Sequence, residues 1–167
     1  MKKQVLSEQA IYFSSVSMPK GFEINRNKLA ADILQSTIKN SKLSFSKDYD
    51  MLNTYIKDTI GVEYGIKLVN KKKYGNVYKP EQITPPLLTA DPADLKNSPD
   101  YTMLYGVKTQ KCIVKVYYDD NRRKNKSKNF ELKNNMFLIL PATNMYVISN
   151  EQKNSLNFIQ TIFYESY

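Results

Sequence analysis

The sequence predicts an α+β chain: two N-terminal helices followed by an antiparallel β-sandwich or jelly-roll-like core. Three observations carry this. Apolar residues recur at helical spacing between residues 25 and 61. The period changes to two at Val62. The last third holds six short apolar runs separated by polar turns. The expected organisation is an extended arm over residues 1–24, a two-helix segment over 25–61 and a β-rich domain over 62–167, with a proline-rich loop at 80–100.

In the arm, Ile11-Tyr12-Phe13 reads as a short strand and Met18-Pro19-Lys20-Gly21 as a turn. The first helix has Asn25 or Asn27 as its cap, and Leu29, Ile33, Leu34 and Ile38 share one face. The second follows Ser46-Lys47-Asp48, carries Leu52, Tyr55, Ile56 and Ile60 as its stripe, and stops at Gly61. Asp48 and Asp50 fall in its first turn, where they complement the helix dipole; no metal is needed to account for them. From Val62 onward, Val62, Tyr64, Ile66 and Leu68 alternate with Glu63, Gly65, Lys67 and Val69, which predicts a half-buried strand. Residues 71–73 are three lysines and read as a charged turn.

Five of the seven prolines (Pro80, Pro85, Pro86, Pro92 and Pro99) fall between 80 and 100, so this segment is expected to be irregular. Strands are expected near 103–107, 112–118, 130–132, 136–140, 145–148 and 156–164. The run 136–140 is apolar on both faces and therefore central; Leu156, Phe158, Ile162 and Tyr164 share one face of the last strand. An apolar C-terminus of this kind is expected to pair into a sheet or dock on a neighbour.

Composition removes most enzyme chemistry. The chain has no histidine, no tryptophan and one cysteine, Cys112. A Cys/His zinc site and any Ser-His or Cys-His pairing are impossible. The five glycines (Gly21, Gly61, Gly65, Gly75 and Gly106) are scattered, so no phosphate-cradling loop exists. The carboxylate pairs Asp48/Asp50, Asp91/Asp94 and Asp119/Asp120 lack calcium-loop spacing. The expectation is a chain that is not an enzyme, with no catalytic residues, no cofactor and no metal. Cys112 lies in the run Cys112-Ile113-Val114 and reads as a small buried hydrophobe. No apolar run is long enough to span a membrane, and Lys2 and Lys3 are followed by no hydrophobic stretch of the kind a secretion signal needs.

The net charge is +9, yet only Arg26, Arg122 and Arg123 are arginine. Arginine makes most bidentate phosphate and guanine contacts, so nucleic acid is a possible but not a favoured partner. The most distinctive segment runs from Tyr117 and Tyr118 through Asp119 and Asp120 into Arg122, Arg123, Lys124, Lys126 and Lys128. It reads either as a solvated hairpin tip or as a contact loop for an acidic surface or a phosphate backbone. Tyr118 and the terminal Tyr167 join it as expected interface residues, because tyrosine is enriched at interfaces.

Two resemblances follow. Residues 118–124, the stretches Asp91-Pro92 and Asn97-Ser98-Pro99-Asp100, and the ending 156–162 resemble small uncharacterised proteins of contractile-tailed phages of marine bacteria. Residues 130–164 resemble the last strands of the double-stranded β-helix of 2-oxoglutarate oxygenases, with 136–141 like the apolar strand before the distal histidine. Where that family places its histidine this chain offers Tyr146 or nearby residues, and the proximal His-x-Asp motif has no counterpart. The first resemblance implies a non-catalytic structural or assembly protein of the virion, made in the host cytoplasm and contacting other virion proteins or copies of itself. The second implies an oxygenase-type fold without its iron site, binding a small ligand or a host protein. Its pocket is expected between the sheets near Tyr105, Val116, Ile139 and Phe158.

Overall fold

The computed structural model describes residues 3–4, 8–40, 46–119 and 125–167. The elements are β1 (Tyr12–Ser15), α1 (Arg26–Ile38), α2 (Lys47–Tyr64), β2 (Leu68–Tyr78), a 3-10 turn (Leu95–Asn97), β3 (Tyr101–Lys108), β4 (Cys112–Asp119), β5 (Asn125–Glu131), β6 (Met136–Pro141), β7 (Tyr146–Asn150) and β8 (Asn157–Ser166). Among the described residues this is a mainly β fold with two helices, and every strand pairing is antiparallel. No described helix is long and apolar enough to cross a membrane.

Five strands form one sheet in the order β1-β6-β3-β8-β2, and three form a second in the order β5-β4-β7. The proline-rich segment runs along the outer edge of β7. The Thr84 N–H donates to the Ile148 carbonyl (3.0 Å), and Leu87 and Tyr146 exchange two backbone bonds of 2.8 and 2.9 Å. Pro85 and Pro86 have no N–H to give, which reduces this line to single bridges at Ile83 and Leu87.

Period-two alternation gives the large sheet two apolar faces. Tyr105, Phe137, Ile139 and Ile162 pack on one face against Leu29 and Ile33 of α1 and Leu52 and Ile56 of α2. Leu104, Leu138 and Ile159 on the other face meet Val114, Val116 and Ile148 of the small sheet. The run 136–140 is central as expected, since β6 pairs with β1 and β3 and feeds both clusters. Gly75 lets α1 approach β2: a Cβ there would sit 2.5 Å from Ile33 Cγ1.

Helix α1 begins where expected, its Asn25 cap accepting from the Lys28 N–H at 3.1 Å. Only Leu29, Ala30 and Ile33 are buried, so the expected stripe is shorter, and Ile38 is 75% exposed. Helix α2 does not stop at Gly61. It continues to Tyr64 and ends at Gly65, whose φ of +70° is the left-handed conformation that closes a helix. Val62 and Tyr64 are thus helical and exposed, and β2 starts only at Leu68. Residues 71–73 lie inside β2 rather than in a turn, because β2 is an edge strand and can hold lysines in solvent.

Lys73 is the exception among them. Its Nζ lies 4.2 Å from the Tyr49 ring centroid, and burial lowers its pKa from 10.5 to about 8 against the opposing pull of Asp50. A folded value below the unfolded one means the folded chain resists the proton, so this group makes stability rise as pH increases above about 8. Lys73→Met is expected to flatten that rise. Urea midpoints of both proteins between about pH 8 and about pH 9.5, below tyrosine titration, check this; parallel curves would reject it.

Candidate functional site

The register brings one set of strand ends together. Tyr101 at the start of β3 faces Pro141 at the end of β6, and Val116 near the end of β4 faces Tyr146 at the start of β7. Leu87 bridges to the same Tyr146. Inside this end, Thr102 Oγ1 donates to Thr89 Oγ1 at 2.6 Å. Thr102 and Tyr146 are buried. Burial raises the Tyr146 pKa, and Thr89 works against that rise. Across the core, Tyr78 is also pushed up by burial, with Tyr146 and Cys112 adding to the effect. The Cys112 thiol is pushed up to about 12 by burial alone, so it is protonated and unreactive at neutral pH, as expected of a small core residue.

The space between the sheets is filled. Val116 packs there among Leu104, Val114, Leu138 and Ile148. Tyr105, Ile139 and Phe158 face the helices instead. Among the described residues the pocket expected near these four is therefore absent: Tyr105, Ile139 and Phe158 point to the helix side of the large sheet, and Val116, on β4 of the small sheet, packs against its other side.

The concavity lies outside that core, around the strand ends. Three adjoining cavities of about 240, 440 and 570 Å³ all have Gln9 in their walls. Asn144 and Tyr118 line two of them, and Lys128 lines the smallest. Asn144 sits in the turn after β6, where its N–H donates to the Pro141 carbonyl at 3.0 Å. Its Nδ2 donates to the Tyr117 carbonyl at 3.0 Å and to Gln9 Oε1 at 3.3 Å. The residue is only 8% exposed, and its buried Oδ1 has no partner among the described residues. The apolar wall is the Phe13–Phe130 ring pair, centroids 5.5 Å apart, with Lys128 Nζ 5.5 Å from the Phe130 centroid. A wider depression of about 770 Å³ along α2, between Met18, Phe22 and Val62, shares no residue with these three.

Of the residues expected to make contacts, Tyr118 and Lys128 meet in this cleft, and Lys126 lies opposite Tyr118 in the β4–β5 register. Tyr167 is elsewhere, 80% exposed with Lys67 Nζ 6.0 Å from its ring centroid. Arg122, Arg123 and Lys124 lie outside the described residues. Gln9 and Asn144 were not singled out by the sequence. The only signal was a turn after Pro141, common to many asparagines.

No protein-family model and no curated protein matches the chain. Solved structures do. A prolyl-4-hydroxylase from Pseudomonas putida superposes with a TM-score of 0.67 at 8% identity, covering 94% of this chain and 89% of that one. SnoN, a non-heme α-ketoglutarate-dependent epimerase of nogalamycin biosynthesis, gives 0.65 at 9% identity over 93% and 77%. A 2OG-Fe(II) oxygenase-family protein from Burkholderia pseudomallei gives 0.54 at 11% identity over 74% and 59%. The chain shares their fold. The resemblance of residues 130–164 to oxygenase strands therefore extends to nearly the whole chain.

The finding overturns the expectation of a non-catalytic virion building block and of a chain that is simply not an enzyme, because the solved proteins of like fold are oxygenase-family enzymes. The virion expectation rested on the phage resemblance, and the expectation of no enzyme on composition, which reads missing side chains but not strand order. The family's iron is a separate matter. A facial triad needs two histidines and a carboxylate. This chain has no histidine, and its described residues hold no group of three His, Cys, Asp or Glu side chains able to hold a metal. The strand ends carry Tyr146 and the hydrogen-bonded pair Thr102 and Thr89, none of which is a histidine or a carboxylate. These residues do not fit the iron.

Proposed function

We propose that the protein is a jelly roll of the oxygenase type, a double-stranded β-helix, that binds a small ligand at the open end of its two sheets. The chain's path supports the jelly-roll reading. With residues 82–87 counted beside β7, successive strands pass between sheets: β2, then 82–87, β3, then β4 and β5, β6, β7 and β8. The observation that carries the function is the convergence of three cavities on Gln9 at the end where β7 begins. Any chemistry there would run on hydroxyl, amide, lysine and carboxylate groups, the last being Glu8 and Asp100 in the wall of the 440 Å³ cavity.

Ferrous iron with 2-oxoglutarate, added without oxygen, is expected to leave the melting temperature unchanged and to give no charge-transfer absorption. Stoichiometric iron binding would overturn the assignment of the strand-end residues. A fragment screen read by amide chemical shifts is expected to move Gln9, Tyr118 and Asn144; hits confined to the α2 depression would reject the open end as the site.

A further inference from the structure

Asn144 is the least explained polar group of the open end. A buried acceptor without a partner is uncommon and costs stability, so its retention asks for a reason. Its carboxamide is anchored on one side by the 3.0 Å bond to the Tyr117 carbonyl, which fixes its plane. On the other side it meets only Gln9 Oε1, at 3.3 Å, the long end of the hydrogen-bond range. Gln9 is exposed and belongs to the arm, so this contact is the replaceable one. Gln9 satisfies one Nδ2 hydrogen and leaves Oδ1 unmet.

We propose that Gln9 is a placeholder, and that the cleft takes a planar molecule whose amide edge, an N–H beside a C=O, pairs with the Asn144 carboxamide. The ligand's C=O accepts the Nδ2 hydrogen that Gln9 now holds, and its N–H donates to Oδ1, so the one unmet acceptor is answered and the donor keeps a partner. Its ring lies among Tyr118, Phe13 and Phe130, in a cavity of about 240 Å³. Lactams, cyclic imides and amidic heterocycles have this edge. The inference rests on the open-end reading and adds the ligand class.

The test uses the full chain and three ligands: 2-quinolone, which has the edge; 1-methyl-2-quinolone, which lacks the N–H; and naphthalene, which has only the rings. Binding is followed by the Asn144 side-chain amide and the backbone amides of Tyr118 and Thr143. The expected result is 2-quinolone bound in the cleft and about tenfold tighter than its methyl analogue, one hydrogen bond to a buried acceptor. Gln9→Ala, at an exposed arm position, is expected to tighten 2-quinolone about threefold by removing the competitor. Equal affinities of the three ligands at the cleft would overturn the ligand class and leave the open-end reading intact. A cleft untouched by all three would overturn both. Weaker 2-quinolone binding by Gln9→Ala would show that Gln9 is part of the wall and overturn its role as placeholder.

Discussion

Replacing Asn150 by leucine is expected to destabilise the protein by about 3 kcal/mol or more, because four partners lose their bonds together. Asn150 is 1% exposed at the end of β7. Its Nδ2 lies 3.1, 3.0 and 2.9 Å from the carbonyls of Tyr78, Lys79 and Ser155, and its Oδ1 accepts from the Gln152 N–H at 3.0 Å. One side chain thus ties the end of β2 to the β7–β8 turn. Leucine fills the volume and satisfies none of these groups. Asn150→Asp is the sharper comparison: it keeps an acceptor for Gln152 but turns a second oxygen towards three carbonyls. It is expected to be at least as damaging as leucine near neutral pH. A chain of this length should lose roughly 6–12 °C in melting temperature for such a cost. A drop of under about 2 °C for both variants would show that the carbonyls find other partners.

Gly106→Ala is expected to cost about 2–3 kcal/mol through overpacking. Gly106 lies in β3, and a Cβ built on it collides with the backbone carbonyl of Lys133 and approaches Thr109 Oγ1 at 2.9 Å. The carbonyl cannot turn aside easily, since the adjoining turn is pinned by the Asn135 N–H donating to the Gly106 carbonyl at 2.8 Å. The register of β3 against β8 also shifts beside this glycine, between Gly106 and Lys108. Equilibrium urea unfolding measures the effect. A midpoint equal to that of the parent would mean that the 133–135 turn moves freely, against the bonds seen there.

Five strands of the last third (β3, β4, β6, β7 and β8) were legible as short apolar runs with polar punctuation. β5 was not, because its Asn125–Glu131 sequence is mostly polar, overlaps the expected 130–132 strand only at Phe130 and Glu131, and includes Lys126 and Lys128, which had read as loop residues. The helices were legible from their caps. The stretch 61–73 was not. Gly61 and Gly65 are both plausible helix ends, and the choice is made by the left-handed backbone that Gly65 adopts and Gly61 does not. The lysines at 71–73 look like a turn to any rule that equates charge with loops, yet an edge strand tolerates them. The candidate site was half legible. Tyr118 and Lys128 drew attention through charge and aromaticity, whereas Asn144 matters because Gln9, 135 residues away in sequence, lies against it. No local pattern encodes a contact of that range. Nor does a list of missing histidines reveal a strand order: composition spoke against enzyme chemistry and an iron site, and left the fold to the resemblance of residues 130–164.

The four residues of β1 have a colloidal consequence. They pair with 136–139 and so occupy the outer side of β6, whose sequence Met136-Phe137-Leu138-Ile139-Leu140-Pro141 carries no charge. A six-residue uncharged stretch of this kind, with its N–H and C=O groups unpaired, is a template for intermolecular strand addition. Tyr12–Ser15 therefore acts as a gatekeeper. Solutions of this protein are expected to stay clear while those four residues remain zipped, and heat or mild denaturant that frees them first is expected to produce aggregates while the rest of the two sheets is still folded.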